Sequence, residues 1–501
     1  MKRGLALLLT TAGFGLIGFT SIEFALDQPA ENGALPLRDS LNGKAFQHAL
    51  PMLKSSDDSG KWPVRVLFYG QSITEQAWWL SVAEHLKQTF PEASITVENL
   101  AIGGHAAHLL VKAAHADVVA SKPDLIFFHV YGSHHDYEKI IQTLQTQSSA
   151  DIVLTTDHLV SSDELNEEDN SVLLRGFRYL KPALALFGLR SEHVDKQWIA
   201  WRNYVFLPDL AEKYSLALID VRTEWKRHLR REKVNPPALL VDEIHLNAAG
   251  ERLMATILKD RITKLKDVDV PGQSRRIGEW IPAAGTKHDT SAEQCFNATR
   301  ADALIHVSVK DIDIRVNGVA PSTISDLYTN TRPSPFPRSN WPALLRVHSE
   351  ANNTVEQVWT ATIHAPDEEF SAFRFSVNGS VTGKDGVGTS DQDFLAPSGR
   401  ISIRASDWNL QHATGVLGRR AEDGFVVRWK TQLNGLDKLT APALSDPASL
   451  RVETMFNGLA PSVHRLSLQG TDLTGIRAVR FFVPAAASGN SRVGVVDCMR
   501  R

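Results

Sequence analysis

The chain has 501 residues, with 54 Lys and Arg against 57 Asp and Glu and a formal net charge of −3. At roughly 150 residues per domain the length implies about three domains. Hydrophobic residues make up 43% and charged residues 22%, ordinary values for a protein that buries real cores. The near-balanced charge argues against a nucleic-acid binder or a membrane-surface protein, and no stable protein partner is implied.

MKR precedes an apolar stretch from Gly4 to Phe19. A basic start before a short apolar region reads as an export signal over residues 1–25. The stretch is short against the roughly 20 residues of a spanning helix. Glu23 stands where a small residue is wanted if cleavage follows Ala25. An uncleaved membrane anchor is therefore the alternative, and either reading places the protein outside the cytoplasm, secreted or periplasmic. Residues 26–61 are mixed and polar and read as a linker with some ordered packing.

From 62 to 270 short apolar runs alternate with amphipathic segments. VRVLFY, ITVENLAI, DLIFFHVYG, DIVLTTDH and LALIDV are the strand candidates. Ala77, Leu80, Ala83, Leu86 and Phe90 recur three or four apart, as on one helix face. This alternation predicts an α/β domain with a parallel sheet covered on both faces. Glu164 to Tyr214 reads as mostly helical, with Trp198 and Trp201 packing.

Beyond VPGQSRRIGEWIP, helix signals nearly vanish. EQVWTATIHA, GRISIRA, GFVVRWKTQL and HRLSLQG alternate like strands between Gly, Asn, Asp and Pro. Residues 281–500 read as an all-β, sandwich-like region of one or two modules. TRPSPFPRSNWP, residues 331–342, is a surface loop or a boundary. Cys295 and Cys498 flank this region and either form one disulfide or stay as buried thiols. No Cys/His spacing has the form of a zinc site, and no cofactor is expected.

Ligands of an open α/β sheet bind beyond the carboxyl ends of its strands. Four segments sit there: GQSIT with Ser72, NLAIGGH at 99–105, YGSHHDYE at 131–138 and VDEIHLNAAG at 241–250. A serine hydroxyl needs a base within hydrogen-bond reach, and the base needs a partner that sets its tautomer. Asp242 and His245 are three apart on a turn before a helix, so the carboxylate can hold one imidazole nitrogen while the other faces away. The Ser72 N–H at a helix start and the Gly103-Gly104 turn are candidate oxyanion donors. Each segment alone is weak, since a serine before a helix is more often a cap. Their order, each at a strand end, raises the odds.

That ordered set resembles the SGNH (GDSL-like) hydrolase family over about residues 62–267. The resemblance implies a flavodoxin-like three-layer αβα fold and ester hydrolysis. It maps the nucleophile onto Ser72, the remaining triad members onto Asp242 and His245, and the oxyanion-hole glycine onto Gly104. Gln71 stands where the name-giving family has aspartate. The GQS form is similar to a carbohydrate-esterase branch and points to acetylated sugars. His134 stands where the family carries a donor asparagine, so it becomes the third oxyanion candidate, with packing or capping as its plainer role. Gln71, Trp78, His105 and His135 are weaker substrate-binding candidates, and Trp78 is weighed against core packing.

The β region looks like the sandwich modules appended to secreted, carbohydrate-active GDSL-type proteins. Exposed Trp359, Trp408 or Trp429 would stack on sugars there, although sandwich tryptophans are usually core. The expectation is an exported serine esterase removing O-acetyl groups from a polysaccharide through an acyl-enzyme. The rivals are a lipase, arylesterase or thioesterase, and a non-catalytic carbohydrate-binding protein that retains the fold.

Overall fold

The computed structural model describes residues 39–55, 63–165, 198–282, 290–335, 342–350, 354–367, 372–416, 421–442, 451–487 and 494–496. The segment 1–25 read as an export signal, most of the residues read as linker, much of the stretch from Glu164 to Tyr214 read as helical, and Cys498 lie outside them.

The five apolar runs form β1 (Pro63–Gly70), β2 (Ser94–Asn99), β3 (Leu125–His129), β4 (Asp151–Thr155) and β5 (Ala217–Ile219). They pair in the order β2-β1-β3-β4-β5, every pair parallel. Successive side chains of β1 feed opposite faces, as a strand requires. Val64, Val66 and Phe68 enter one core with α1 (Ala49–Lys54), α3 (Trp78–Thr89), α7 (Val221–Glu232) and α8 (Ala248–Lys264). Leu67 and Tyr69 enter the other, with α4 (Ala107–Ser121), α5 (His134–Gln147) and α6 (Leu207–Tyr214). This is a doubly wound, three-layer αβα fold, as expected.

One boundary differs. Residues 39–55, read as linker, belong to the αβα domain. Phe46, Ala49, Leu50 and Leu53 fall at helical spacing and are all buried. Their short run among polar residues hid the helix.

The β region is two sandwiches, one inserted in the other. A five-stranded and a four-stranded sheet, built from strands within 277–316 and 438–496, share one core around Phe296, Ile314, Phe456 and Phe481. The second module spans strands from Tyr328 to Leu433 and closes over Trp359, Phe375, Ile403 and Trp429. The proline-rich run begins inside this second module, at the strand Ser334–Pro335. Trp359 and Trp429 are 1% and 3% exposed, so they are core and not sugar platforms. Trp408 is half-buried against Phe373 and Phe375. Cys295 is buried and disulfide-bonded, while its expected partner, Cys498, lies outside the described residues.

The αβα domain and the β region are joined by ion pairs, each with a buried carboxylate. Arg276 meets Asp151 at 2.8 Å, Arg300 meets Asp124 at 3.5 Å, and Lys112 meets Asp407 at 2.8 Å. Asp124 is fully buried and also accepts from Arg65 N at 2.8 Å, with His48 Nε2 at 3.1 Å. Burial pushes its carboxyl up, but His48, Arg300 and Arg65 outweigh that and hold it at about 2. Removing one member of such a group strands the others' charge. Asp124→Ala is expected to cost about 3–5 kcal/mol, read by urea unfolding, with Asp124→Asn milder.

Candidate active site

Gly70 ends β1 where only glycine fits: a Cβ there would lie 1.9 Å from His129 O. The chain then turns into α2 (Ser72–Glu75). Gln71 supplies the cap with its carbonyl, which accepts from Thr74 N at 2.8 Å and Glu75 N at 3.0 Å. Ser72 is the first helical residue, so its N–H has no intrahelical partner. Its hydroxyl makes no hydrogen bond among the described residues and does not serve as a cap.

Two contacts tie this helix to the glycine turn. Asn99 Nδ2 donates to Thr74 O at 2.8 Å, and its Oδ1 accepts from Ala101 N at 2.9 Å. Glu75 Oε2 accepts from Gly103 N at 2.9 Å. Gly103 N–H is thereby consumed, which leaves Gly104 as the turn's donor. Gly104 is exposed, and its φ of 67° is a left-handed conformation that favours glycine.

Asp242 and His245 lie on a tight turn, where Val241 N donates to His245 O at 2.8 Å and Asn247 N to Leu239 O at 3.0 Å. Asn247 then caps α8, accepting from Ala249 N at 2.9 Å and Gly250 N at 3.1 Å. Asp242 Oδ2 is 2.7 Å from His245 Nδ1. Its Oδ1 accepts from His245 N at 2.7 Å and Ile244 N at 2.8 Å. Those backbone donors, then the imidazole, hold the Asp242 carboxyl down at about 2. The carboxylate stays ionised across neutral pH and fixes the proton on Nδ1, which leaves Nε2 as acceptor. The pair is open to solvent, Asp242 being 53% and His245 37% exposed. Val241 and Ile244, on either side of Asp242, are exposed apolar side chains.

The histidine turn is held on both sides of His245. Gln76 Nε2 donates to Leu246 O at 2.8 Å, and Leu246 N donates to Gln76 Oε1 at 3.0 Å. His158 Nε2 lies 2.9 Å from Ile244 O. A carbonyl only accepts, so Nε2 carries the proton. His129 and Arg202 converge on Asp157 at 2.7 and 2.9 Å, and Asn203 donates to the same carboxylate at 2.9 Å. None of Glu75, Gln76 and His158 was assigned these roles from sequence.

The structure brings Ser72, Gly104, Asp242 and His245 to one edge of the sheet. Ser72 Oγ and His245 Nε2 are not hydrogen-bonded there; such bonds often close only around substrate. The weaker candidates fare differently. Trp78 is 6% exposed, packs edge-on to Phe68 and donates Nε1–H to Ile73 O, so it belongs to the core and cannot stack on a sugar. His105 is completely buried, its Nδ1 3.3 Å from Gly103 O, and props the glycine turn instead of lining a cleft. His134 has its ring enclosed by Trp198, Trp201 and Phe206 at 4.5–4.9 Å, the packing role weighed for it. His135 is exposed on the first turn of α5, and Gln71 is half-buried. The β region reaches this edge as well: His412, on α9 (Leu410–Val416), lies 6.2 Å from the His105 ring. A cleft of about 470 Å³ opens elsewhere, between Lys112 and His115 of α4 and Arg346 and His348 of the inserted sandwich. Among the described residues no group of three His, Cys, Asp or Glu is placed to hold a metal ion.

Burial lowers both His105 and His158 from an ordinary 6.5 to about 4. Between those values the unfolded chain binds protons that the folded one refuses. Stability is therefore full above about pH 6.5 and falls as pH drops toward 4, by up to about 3 kcal/mol per histidine. The unfolding midpoint should decline over that window, and His158→Gln should make the decline shallower.

The fold and the gathered serine, histidine and carboxylate define the class: a three-layer αβα protein with a candidate serine-hydrolase site at the carboxyl edge of its sheet. No family model matches the chain, and no curated protein matches it. Among solved structures it is similar to Axe2, an acetylxylan esterase from Geobacillus stearothermophilus, at 19% identity and a TM-score of 0.30, covering 41% of this chain and 96% of that one. It is also similar to LAE5, an alpha/beta hydrolase from the metagenome of Lake Arreo, at 17% identity and a TM-score of 0.30, covering 42% and 99%. A Parabacteroides merdae protein named for its likeness to GDSL lipases matches at 17% identity and a TM-score of 0.29, covering 41% and 98%. A likeness this distant transfers neither activity nor substrate.

Proposed function

We propose that the chain is an exported serine esterase that removes O-acetyl groups from a polysaccharide. The observation that carries the reading is the Asp242–His245 bond of 2.7 Å on a turn tied to the helix of Ser72. In this reading Ser72 Oγ attacks the ester carbonyl as its proton passes to His245 Nε2. Asp242 holds the imidazole by Nδ1 and stabilises the imidazolium. The N–H groups of Ser72 and Gly104 receive the oxyanion, each such donor being worth about 100- to 1000-fold in rate. The tetrahedral intermediate expels the sugar alkoxide, which takes the proton from His245. Water, activated by His245, then releases acetate from Ser72. No step draws on a cofactor.

The open setting of Asp242 and His245 fits an ester displayed on a polymer. The exposed Val241 and Ile244 favour a second reading, the hydrolysis of longer or aromatic acyl esters. A panel of O-acetylated polysaccharides beside aryl esters of rising chain length separates the two. Acetate release from a polymer, with aryl-ester rates highest at two carbons, supports the first reading. Rates that rise with chain length, with no release from any polymer, replace it by the second.

A further inference from the structure

We infer that Gln76 is a positioning residue that locks the His245 turn onto the nucleophile helix; the inference rests on the esterase reading above. The carboxamide meets both backbone groups of Leu246, accepting from its N–H and donating to its C=O, as a neighbouring strand would. Gln76 follows directly on α2, and its own N–H donates to Ser72 O at 3.1 Å. One residue therefore grips the nucleophile's backbone with its main chain and the backbone next to the base with its side chain.

The base has little else to hold it from this direction. His245 is partly exposed, and Asp242, its side-chain partner, rides on the same turn, so their mutual bond fixes the imidazole within the turn and not relative to Ser72. His158 holds Ile244 O from the far side. With Gln76 removed, that far anchor and the Leu240–Leu246 bridge remain. The turn should stay folded but gain freedom to swing about the His158 contact, which moves Nε2 against Ser72 Oγ. A displacement of about 1 Å at reacting groups can cost about 100-fold in rate.

The test compares wild type, Ser72→Ala, Gln76→Leu and Gln76→Glu by amide hydrogen exchange and by p-nitrophenyl acetate hydrolysis. Leucine matches glutamine in size and forms neither bond. Gln76→Leu is expected to raise exchange in residues 240–247 while β3 stays protected, and to lower kcat about 10- to 100-fold with KM within about threefold. Glutamate keeps the acceptor for Leu246 N–H, loses the donor to Leu246 O and to Glu251 Oε1 at 3.4 Å, and adds a second negative charge beside Glu251 against the residue that follows His245. Gln76→Glu should recover part of kcat and move the acidic limb of the pH profile upward, which a purely structural role would not do. Unchanged exchange in 240–247 with kcat within twofold of wild type would overturn the inference. So would a loss of kcat that only tracks the folded fraction. A wild type that cleaves no ester, or a Ser72→Ala as active as wild type, fails the esterase reading instead, and the exchange result still decides whether Gln76 holds the turn.

Discussion

Ser72→Ala is expected to lower kcat for a short aryl ester by about 10⁴- to 10⁶-fold while leaving the protein folded. The two halves of this expectation have separate causes. In the proposed reaction Oγ is the atom that bonds to the acyl group, so no neighbour can substitute for it. The remaining donors at Ser72 N–H and Gly104 N–H still favour a bound oxyanion, which is why a small residual rate persists. In the fold, Ser72 Oγ has no hydrogen-bond partner among the described residues and α2 is capped by the Gln71 carbonyl. Deleting it leaves no donor or acceptor stranded, so the unfolding midpoint should move by less than about 2 °C. Steady-state kinetics and thermal unfolding on the same preparation check both halves. A variant that loses activity only because it unfolds would point to a structural serine.

Asp242→Asn is the second large effect, and it isolates the tautomer. The side chain has two jobs on two oxygens. Oδ1 accepts from the N–H groups of Ile244 and His245 and shapes the turn, while Oδ2 accepts from His245 Nδ1. Asparagine can keep the first job with its carbonyl. Its NH₂ then faces Nδ1 and donates, which forces the imidazole proton onto Nε2. An Nε2–H cannot take a proton from Ser72. The turn survives and the base is lost, so kcat should fall about 10⁴-fold with little change in KM. Asp242→Ala should lose as much activity and also loosen residues 242–245, visible as faster amide exchange there. Equal activity of Asp242→Asn and wild type would exclude His245 as the base held by this carboxylate.

The strands were legible because a parallel sheet covered on both faces demands continuous apolar runs, and VRVLFY and DLIFFHVYG have them. Ser72 was legible for the same reason, since it closely follows the β1 run and nothing in the packing calls for it there. The expectation that VDEIHLNAAG also sits at a strand end was wrong, because Asp242 follows α7 and a 3-10 turn over Pro236–Leu239 and stands on a loop before α8. What sequence could not show is long-range pairing. Gln76 meets Leu246 across 170 positions, and a glutamine after a short helix carries no local mark of its partner. Glu75 lies in the first turn of α2 with no local sign of its partner, Gly103 N–H, 28 positions away. Trp78 and His105 looked available because periodicity assigns a face to a residue but not a burial depth; both are buried. The insertion of one sandwich in the other escaped because both alternate with the same period. The arginines that join the β region to the αβα domain were hidden among ordinary strand charges, their carboxylate partners lying 125 and 176 positions away.

The central claim, that Ser72 is a nucleophile activated by His245, is met most directly by covalent labelling. The full chain is treated with an aryl fluorophosphonate and read by intact mass and peptide mapping. The account predicts one label per chain, on Ser72, with labelling slowed at least about 10³-fold in His245→Ala. A chain that takes no label, or takes it on another serine while Ser72 stays unmodified, would contradict it.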